Sequence, residues 1–419
     1  MLNFLHLLAL CAGVSARSLG DAVEHPQSLV RRADSPAYHI TVGPKPPFKP
    51  MPASTARDRE CVVKGGTTED SAAILAAIKS CNDGGKVVFS ADTTYTVGKV
   101  MDLTKLSKID LVIKGKIVFT PDIEYWTANA FKHTFQKAVS FFQIGGSDVN
   151  VYGGGSLDGN GGVWGTKSPR PILFAIIGLN GGQIDNLNLV NSPQWFNLIK
   201  NSSNVVYNNI KIKGKNKNTD GWDTLNSKNI VIQNSDISNG DDCVSFKPGS
   251  IDIVVQNLVC LNSHSIAVGS LGQYKGEVDI VENIIAYNIT MINASHASRI
   301  KSWAGHGVMS GVGSGGGGSG RVNNVTFEKF KVSGVESAIT ITQCYGEKDA
   351  AKCAADPSKV SISNVNIIDF TGTAKGKKGV IGSVQCSTPT SCKNIVMKGI
   401  HVEGKITCSN YKTAGCTSV

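Results

Sequence analysis

After its first residues the sequence has no apolar run long enough to span a bilayer, which excludes a bundle of membrane helices. It has no CxxC pair and no cysteine–histidine cluster at zinc spacing, so neither a metal site nor a cofactor is expected. Aromatic residues are only 7% of the 419 and are not interleaved with the basic ones, and no nucleic-acid-binding motif is present. Helical periodicity is almost absent after residue 85; only "DSAAILAAIKSC" (70–81) reads as an amphipathic helix. Acidic residues are the minority charge. The 32 Asp and Glu against 42 Lys and Arg leave a formal net charge of +10, which favours an anionic partner such as an acidic polysaccharide.

What is present begins with a leader. "MLNFLHLLALCAGVSA" is short, apolar and ends in small residues, so residues 1–16 read as a signal peptide and the protein as secreted. Residues 17–32, ending at Arg31-Arg32, read as a pro-segment, and the Pro-rich 33–60 as an extended arm. Residues 61–419 form one domain. Of the 11 Cys, Cys11 leaves with the leader, and ten remain in nearby couples: Cys61 with Cys81, Cys243 with Cys260, Cys344 with Cys353, Cys386 with Cys392, Cys408 with Cys416. Local disulfide pairing is the simplest arrangement in an oxidising compartment. Sequons at Asn201, Asn288, Asn293 and Asn324 are glycosylation candidates.

From Asp148 onward one theme recurs: a short run of alternating Val and Ile beside an Asn, as in "NVVYNNIKIKG" (204–214), "NIVIQNSDISNG" (229–240) and "DIVVQNLVC" (252–260). Short β-branched strands at periods of 20 to 50 residues mark a solenoid. The predicted fold is all-β, a right-handed parallel β-helix with the 70–81 helix as a short N-terminal cap.

In such a coil, residues one turn apart in sequence become neighbours about 4.8 Å apart. "NTDGWD" places Asp220 21 residues before Asp241 of "NGDDCVSFK", and Asp242 lies 22 before His264. Three carboxylates and a histidine are therefore expected on one face of successive coils. "SRIKSW" adds Arg299 and Lys301 on one side of a strand. Clustered carboxylates suit glycosidic bond hydrolysis, in which one acid protonates the leaving oxygen and one carboxylate activates water. The two cations suit a substrate that carries carboxylates.

"NTD", "GDD", a His in a Gly/Ser-rich turn and "RIK", in that order, resemble the polygalacturonases of glycoside hydrolase family 28. The longer strings "NTDGWDT", "NGDDCVSFKPGS", "VGSLGQYKGE" and "TQCYG" are most similar to its fungal exopolygalacturonases. The resemblance implies a monomeric enzyme acting on pectin and galacturonate oligomers, cutting α-1,4 links with inversion. It implies Asp241 as general acid, Asp220 and Asp242 as holders of the water, and His264 as support for the acid. It also implies Arg299, Lys301 and Tyr345 as substrate ligands, with Asn218 orienting the cluster. Ser265 stands where the family commonly has Gly, so a strained turn and reduced activity are expected there. The competing readings are a hydrolase of another pectic backbone such as rhamnogalacturonan, a pectate lyase, and a weakly catalytic pectin-binding protein. Two insertions, between His264 and Arg299 and in the Gly-rich 303–321, are expected to wall off one end of the cleft.

Overall fold

The computed structural model describes residue 49, residues 51–309 and residues 313–418. The leader, the pro-segment and most of the arm lie outside the described residues.

Val and Ile lose little side-chain freedom in extended backbone and pack well on a pleated surface. Each such run pairs in parallel with the run one coil further on, joining 24 strands into one continuous sheet. Val205, Ile230, Ile253, Ile284, Val325, Val365 and Ile395 stack in register through seven coils, all buried. Each such burial stabilises the fold by roughly 1.5–3 kcal/mol. The chain is a parallel β-helix.

The recurring Asn has a backbone reason. Asn204, Asn229, Asp252, Asn283, Asn324, Asn364 and Asn394 all take φ between 51° and 59°. That left-handed region costs most L-residues about 1–2 kcal/mol and Asn or Asp least. Their side chains form a ladder, with Asn229 donating to Asn204 at 2.7 Å, Asn324 to Asn283 at 2.8 Å and Asn394 to Asn364 at 2.7 Å. Three sequon residues are engaged in this way: Asn324 as above, Asn288 to Asn257 at 2.8 Å and Asn293 to Asn262 at 3.3 Å. Asn201 is exposed and makes no side-chain bond among the described residues.

Helix α1 (Ser71–Cys81) buries Ile74, Ile78 and Cys81, as the periodicity predicts. Two shorter helices, Ile123–Asn129 and Ala350–Ala355, escape that signal because six or seven residues make no two-turn stripe. All five cysteine couples close as disulfides, with Cα–Cα separations of 5.6–6.0 Å. The described part of the arm lies along the coils instead of ahead of them. Its Arg57 bonds Asp110 at 2.9 Å and Asp148 at 3.1 Å, and Lys49 O accepts from Asn229 at 3.2 Å.

One face of the coil borders the turns that carry the clustered carboxylates. It is built by β1 (Phe174–Val190), β2 (Asn197–Lys200), β3 (Trp222–Leu225), β4 (Val244–Phe246), β5 (Ile266–Leu271), β6 (His296–Trp303) and β7 (Ser337–Tyr345). Trp222, Val244 and Ile266 point into the main core. The alternate positions therefore face outward, and one outward row runs Ala175, Leu198, Asp223, Ser245, Ala267, Arg299, Thr340.

Candidate active site

The turns leading into β3, β4 and β5 carry Asp220, then Asp241 and Asp242, then His264 and Ser265. A buried spine holds these turns together. Asn239 Nδ2 donates to Thr219 O at 2.7 Å, Gly240 N to Thr219 Oγ1 at 2.9 Å, and Ser263 Oγ to Asn239 Oδ1 at 2.5 Å. Asn218, at φ 61°, turns the chain into Thr219 and Asp220.

The expected carboxylate face is present, but its pairings differ from a simple stack. His264 Nδ1 lies 3.0 Å from Asp241 Oδ1, not on Asp242. Asp242 is held by Ser265 Oγ at 2.5 Å on one oxygen and by Lys301 Nζ at 2.7 Å on the other. The strain expected at Ser265 is not found. Its φ is not in the left-handed region, the side chain is fully buried, and its hydroxyl serves Asp242. Lys301, expected to bind substrate, is paired with Asp242.

Two residues inside the quoted strings were missed. Asp223 follows Trp222 on the outward row, and Lys247 lies at the end of "GDDCVSFK". Lys247 Nζ is 3.0 Å from Asp223 Oδ1 and 3.9 Å from Asp220 Oδ2, and all three side chains are buried. Strand alternation could have found them, since Asp223 lies on β3 and Lys247 directly follows β4.

Electrostatics separates the carboxylates. Burial, then the neighbouring Asp223 and Asp241, push Asp220 well above the usual carboxylate range. Burial raises Asp223 to about 7 against the pull of Lys247. Burial would raise Asp242 too, but Lys301, Lys247 and the Ser265 bond overcome it and hold Asp242 well below that range. The bond to Asp241 raises His264 and favours its imidazolium. Asp242 is thus the fixed anion, and burial with its acidic neighbours favours the protonated form of Asp220.

Arg299 is different from the other cations here. Its Nε is buried without a hydrogen-bond partner, and its Cζ lies 5.6 Å from the ring centroid of Tyr345. Tyr345 stands edge-on to Trp303 at 5.4 Å, which fixes its ring beside both cations. One coil beyond His264, His296 N donates to His264 O at 2.7 Å, and its Nδ1 lies 2.9 Å from Thr340 Oγ1. Burial and Arg299 lower His296 to about 3, so it is a neutral ring beside the cations.

Donor atoms of Asp241, Asp242 and His264 lie within 4.8 Å of one another, a spacing that could hold a metal ion. Both oxygens of Asp242 and Nδ1 of His264 already have partners from the chain itself, so the set fits acid–base work better than coordination.

A carboxyl pushed above its usual range, a fixed anion and a guanidinium whose buried Nε has no hydrogen-bond partner among the described residues, on one face of a β-helix, suit the hydrolysis of an acidic carbohydrate. The comparisons agree, and the chain belongs to glycosyl hydrolases family 28, whose family model matches residues 74–418. It is 54% identical over 378 residues to a probable exopolygalacturonase X of Aspergillus flavus, covering 86% of this chain and 87% of that relative. It is 52% identical over 413 residues to exopolygalacturonase X-1 of Emericella nidulans, covering 95% and 93%. Among solved structures it resembles an endo-xylogalacturonan hydrolase from Aspergillus tubingensis, with TM-score 0.75, 30% identity, and 86% and 99% of the two chains covered. A polygalacturonase from Erwinia carotovora shares the fold at TM-score 0.64 and 18% identity, over 92% of this chain and 100% of that one. The fold is the right-handed β-helix expected from the sequence.

Proposed function

We propose that this protein is a secreted exo-acting polygalacturonase that hydrolyses terminal α-1,4-galacturonosyl links of pectin. The observation that carries the reading is Arg299 beside a carboxylate cluster, its buried Nε without a hydrogen-bond partner among the described residues. A desolvated guanidinium binds a carboxylate as a planar fork. A uronic acid supplies one on every residue. Five disulfides suit an extracellular enzyme.

Asp241, the more exposed of the adjacent pair, gives its proton to the glycosidic oxygen as the bond from that oxygen to C1 breaks. A water attacks C1, and Asp242 takes the proton the water releases. Asp220, whose protonated form is favoured by burial and then by its acidic neighbours, orients that water. The His264 imidazolium then returns a proton to Asp241 along their 3.0 Å contact, and solvent restores the proton to His264 as Asp242 releases the one it took. Inversion is the outcome the family resemblance implies. The 4.8 Å limit on the Asp241–Asp242 contact falls below the roughly 6.5–9.5 Å usual for inverting pairs, so the anomer first formed, read by NMR, is a direct test.

Digalacturonate compared with its neutral galactose counterpart tests substrate charge. Losing one bond to a charged group, about 1.5–3 kcal/mol, should lower kcat/KM for the neutral sugar roughly ten- to a hundredfold. Equal values for both would overturn the reading. The likeness to the xylogalacturonan hydrolase favours one second reading, a galacturonan backbone bearing xylose. Faster release from xylosylated than from plain polygalacturonate would select it.

A further inference from the structure

Along the outward face the chemistry changes within one coil. Ala175 and Leu198 are apolar, and the next residue in register is the charged Asp223. An open groove would leave this apolar start in water. Instead Ala175, Leu198 and Leu225 are buried with Ile172, Trp195 and Ala138, and Phe135 packs on them.

Phe135 and Ala138 come from a hairpin that does not belong to the coil. Phe131–Lys132 pairs antiparallel with Val139–Ser140, and Pro171–Ile172 adds a parallel strand. His133 fastens it, its N donating to Ala138 O at 2.8 Å and its Nε2 lying 3.1 Å from Ser140 Oγ. At the hairpin tip the Gln136 backbone lies beside the hydroxyl of Tyr274, which stands in the loop after β5. The two segments are 138 residues apart in sequence (274 minus 136).

The covered patch ends at the catalytic coil. Lys247 Nζ lies 5.6 Å from the Trp195 ring centroid and 3.9 Å from Asp220 Oδ2. From Leu198 to Asp223 is one coil step, about 4.8 Å.

We propose that the 131–140 hairpin is the end stop of the substrate groove, with Phe135 seated on the floor and Tyr274 as its clasp, and that it confines cleavage to the terminal galacturonate. This rests on the exo reading above and names what enforces it. The insertions expected to build the wall then have smaller parts. The first supplies Tyr274. The described part of the Gly-rich segment braces it, Gly316 N donating to Gln273 O at 2.8 Å and Gly318 N to Gly272 O at 3.2 Å.

The test compares wild type, Phe135→Ala, Tyr274→Phe and the double variant on polygalacturonate, following reducing ends and viscosity together. Wild type should release monomer with slow viscosity loss. Removing a seated phenyl and its clasp should raise viscosity loss per bond cut roughly tenfold or more and bring dimers and trimers among the first products. Tyr274→Phe deletes only a hydroxyl, so it tests the clasp even if Phe135→Ala folds poorly. Continued cleavage of digalacturonate shows that the site is intact. Variants that still cut digalacturonate and release only monomer from the polymer would overturn the end stop and leave the exo reading standing. Mixed oligomers from wild type would instead overturn the exo reading itself.

Discussion

Lys301→Met separates two roles that the sequence alone would merge. The Lys301 ammonium lies 2.7 Å from Asp242 Oδ2, with the two side chains 9% and 1% exposed. Breaking a buried pair by removing one partner costs about 3–5 kcal/mol, because the other charge is left uncompensated. Part of that cost will be relieved by Asp242 taking up a proton, and a protonated Asp242 cannot accept one from water. We therefore expect kcat to fall by two to three orders of magnitude, at about 1.4 kcal/mol per factor of ten, with a smaller change in KM. The pH dependence has a definite sign. Lys301 and its companions depress Asp242, so in wild type its ionisation adds stability above the unfolded carboxylate value of about 3.9, and this is lost only as pH falls further, through the depressed native value. In Lys301→Met that advantage should vanish, and the acid limb of kcat should move to higher pH by at least about one unit. The assay is steady-state hydrolysis of trigalacturonate between pH 3 and 7, beside Arg299→Ala as a contrast. Among the described residues the buried Nε of Arg299 has no partner, so its loss should appear chiefly in KM. If Lys301→Met raised KM with kcat and the acid limb unchanged, Lys301 would be a substrate ligand and the electrostatic reasoning would be wrong.

Asp241→Asn should cut turnover by orders of magnitude with little change in affinity, since the substrate's charge contacts survive; near-normal turnover would remove Asp241 from the acid role. Ser265→Gly should lower kcat roughly ten- to a hundredfold, because it deletes the 2.5 Å bond to a buried anion without relieving any strain. A gain in activity would show that the hydroxyl hinders the turn. Glycan mapping by mass spectrometry should find Asn201 occupied and Asn324 bare, since the Asn324 amide is buried in the ladder; a glycan on Asn324 would contradict that placement.

The solenoid was legible because its signal is repetitive: the alternation that makes a strand and the Asn that takes a left-handed φ recur in coil after coil. The catalytic turns were legible for the same reason, since one coil length carries Asp220 to the Asp241–Asp242 pair and that pair to the His264 turn. Which atom meets which was not. The coil period alone cannot decide a shift of one residue within a turn; the structure puts His264 on Asp241, as the resemblance implies, and Ser265 on Asp242. Asp223, on a short strand, and Lys247, just past one, were obscured because Asp and Lys in such places usually mark a solvated edge; here both side chains are buried. The 131–140 hairpin left no signal at all. Its strands are two residues each, and what makes it an end stop is a contact with Tyr274 that only folding creates.

The most direct measurement of the central claim is chromatography of the first products that wild type releases from polygalacturonate, with viscosity recorded in the same reaction. The structure predicts galacturonate monomer as the early product and a viscosity that falls slowly as reducing ends accumulate. A rapid fall in viscosity with mixed oligomers at low conversion would contradict it, and no release of reducing ends would deny the activity altogether.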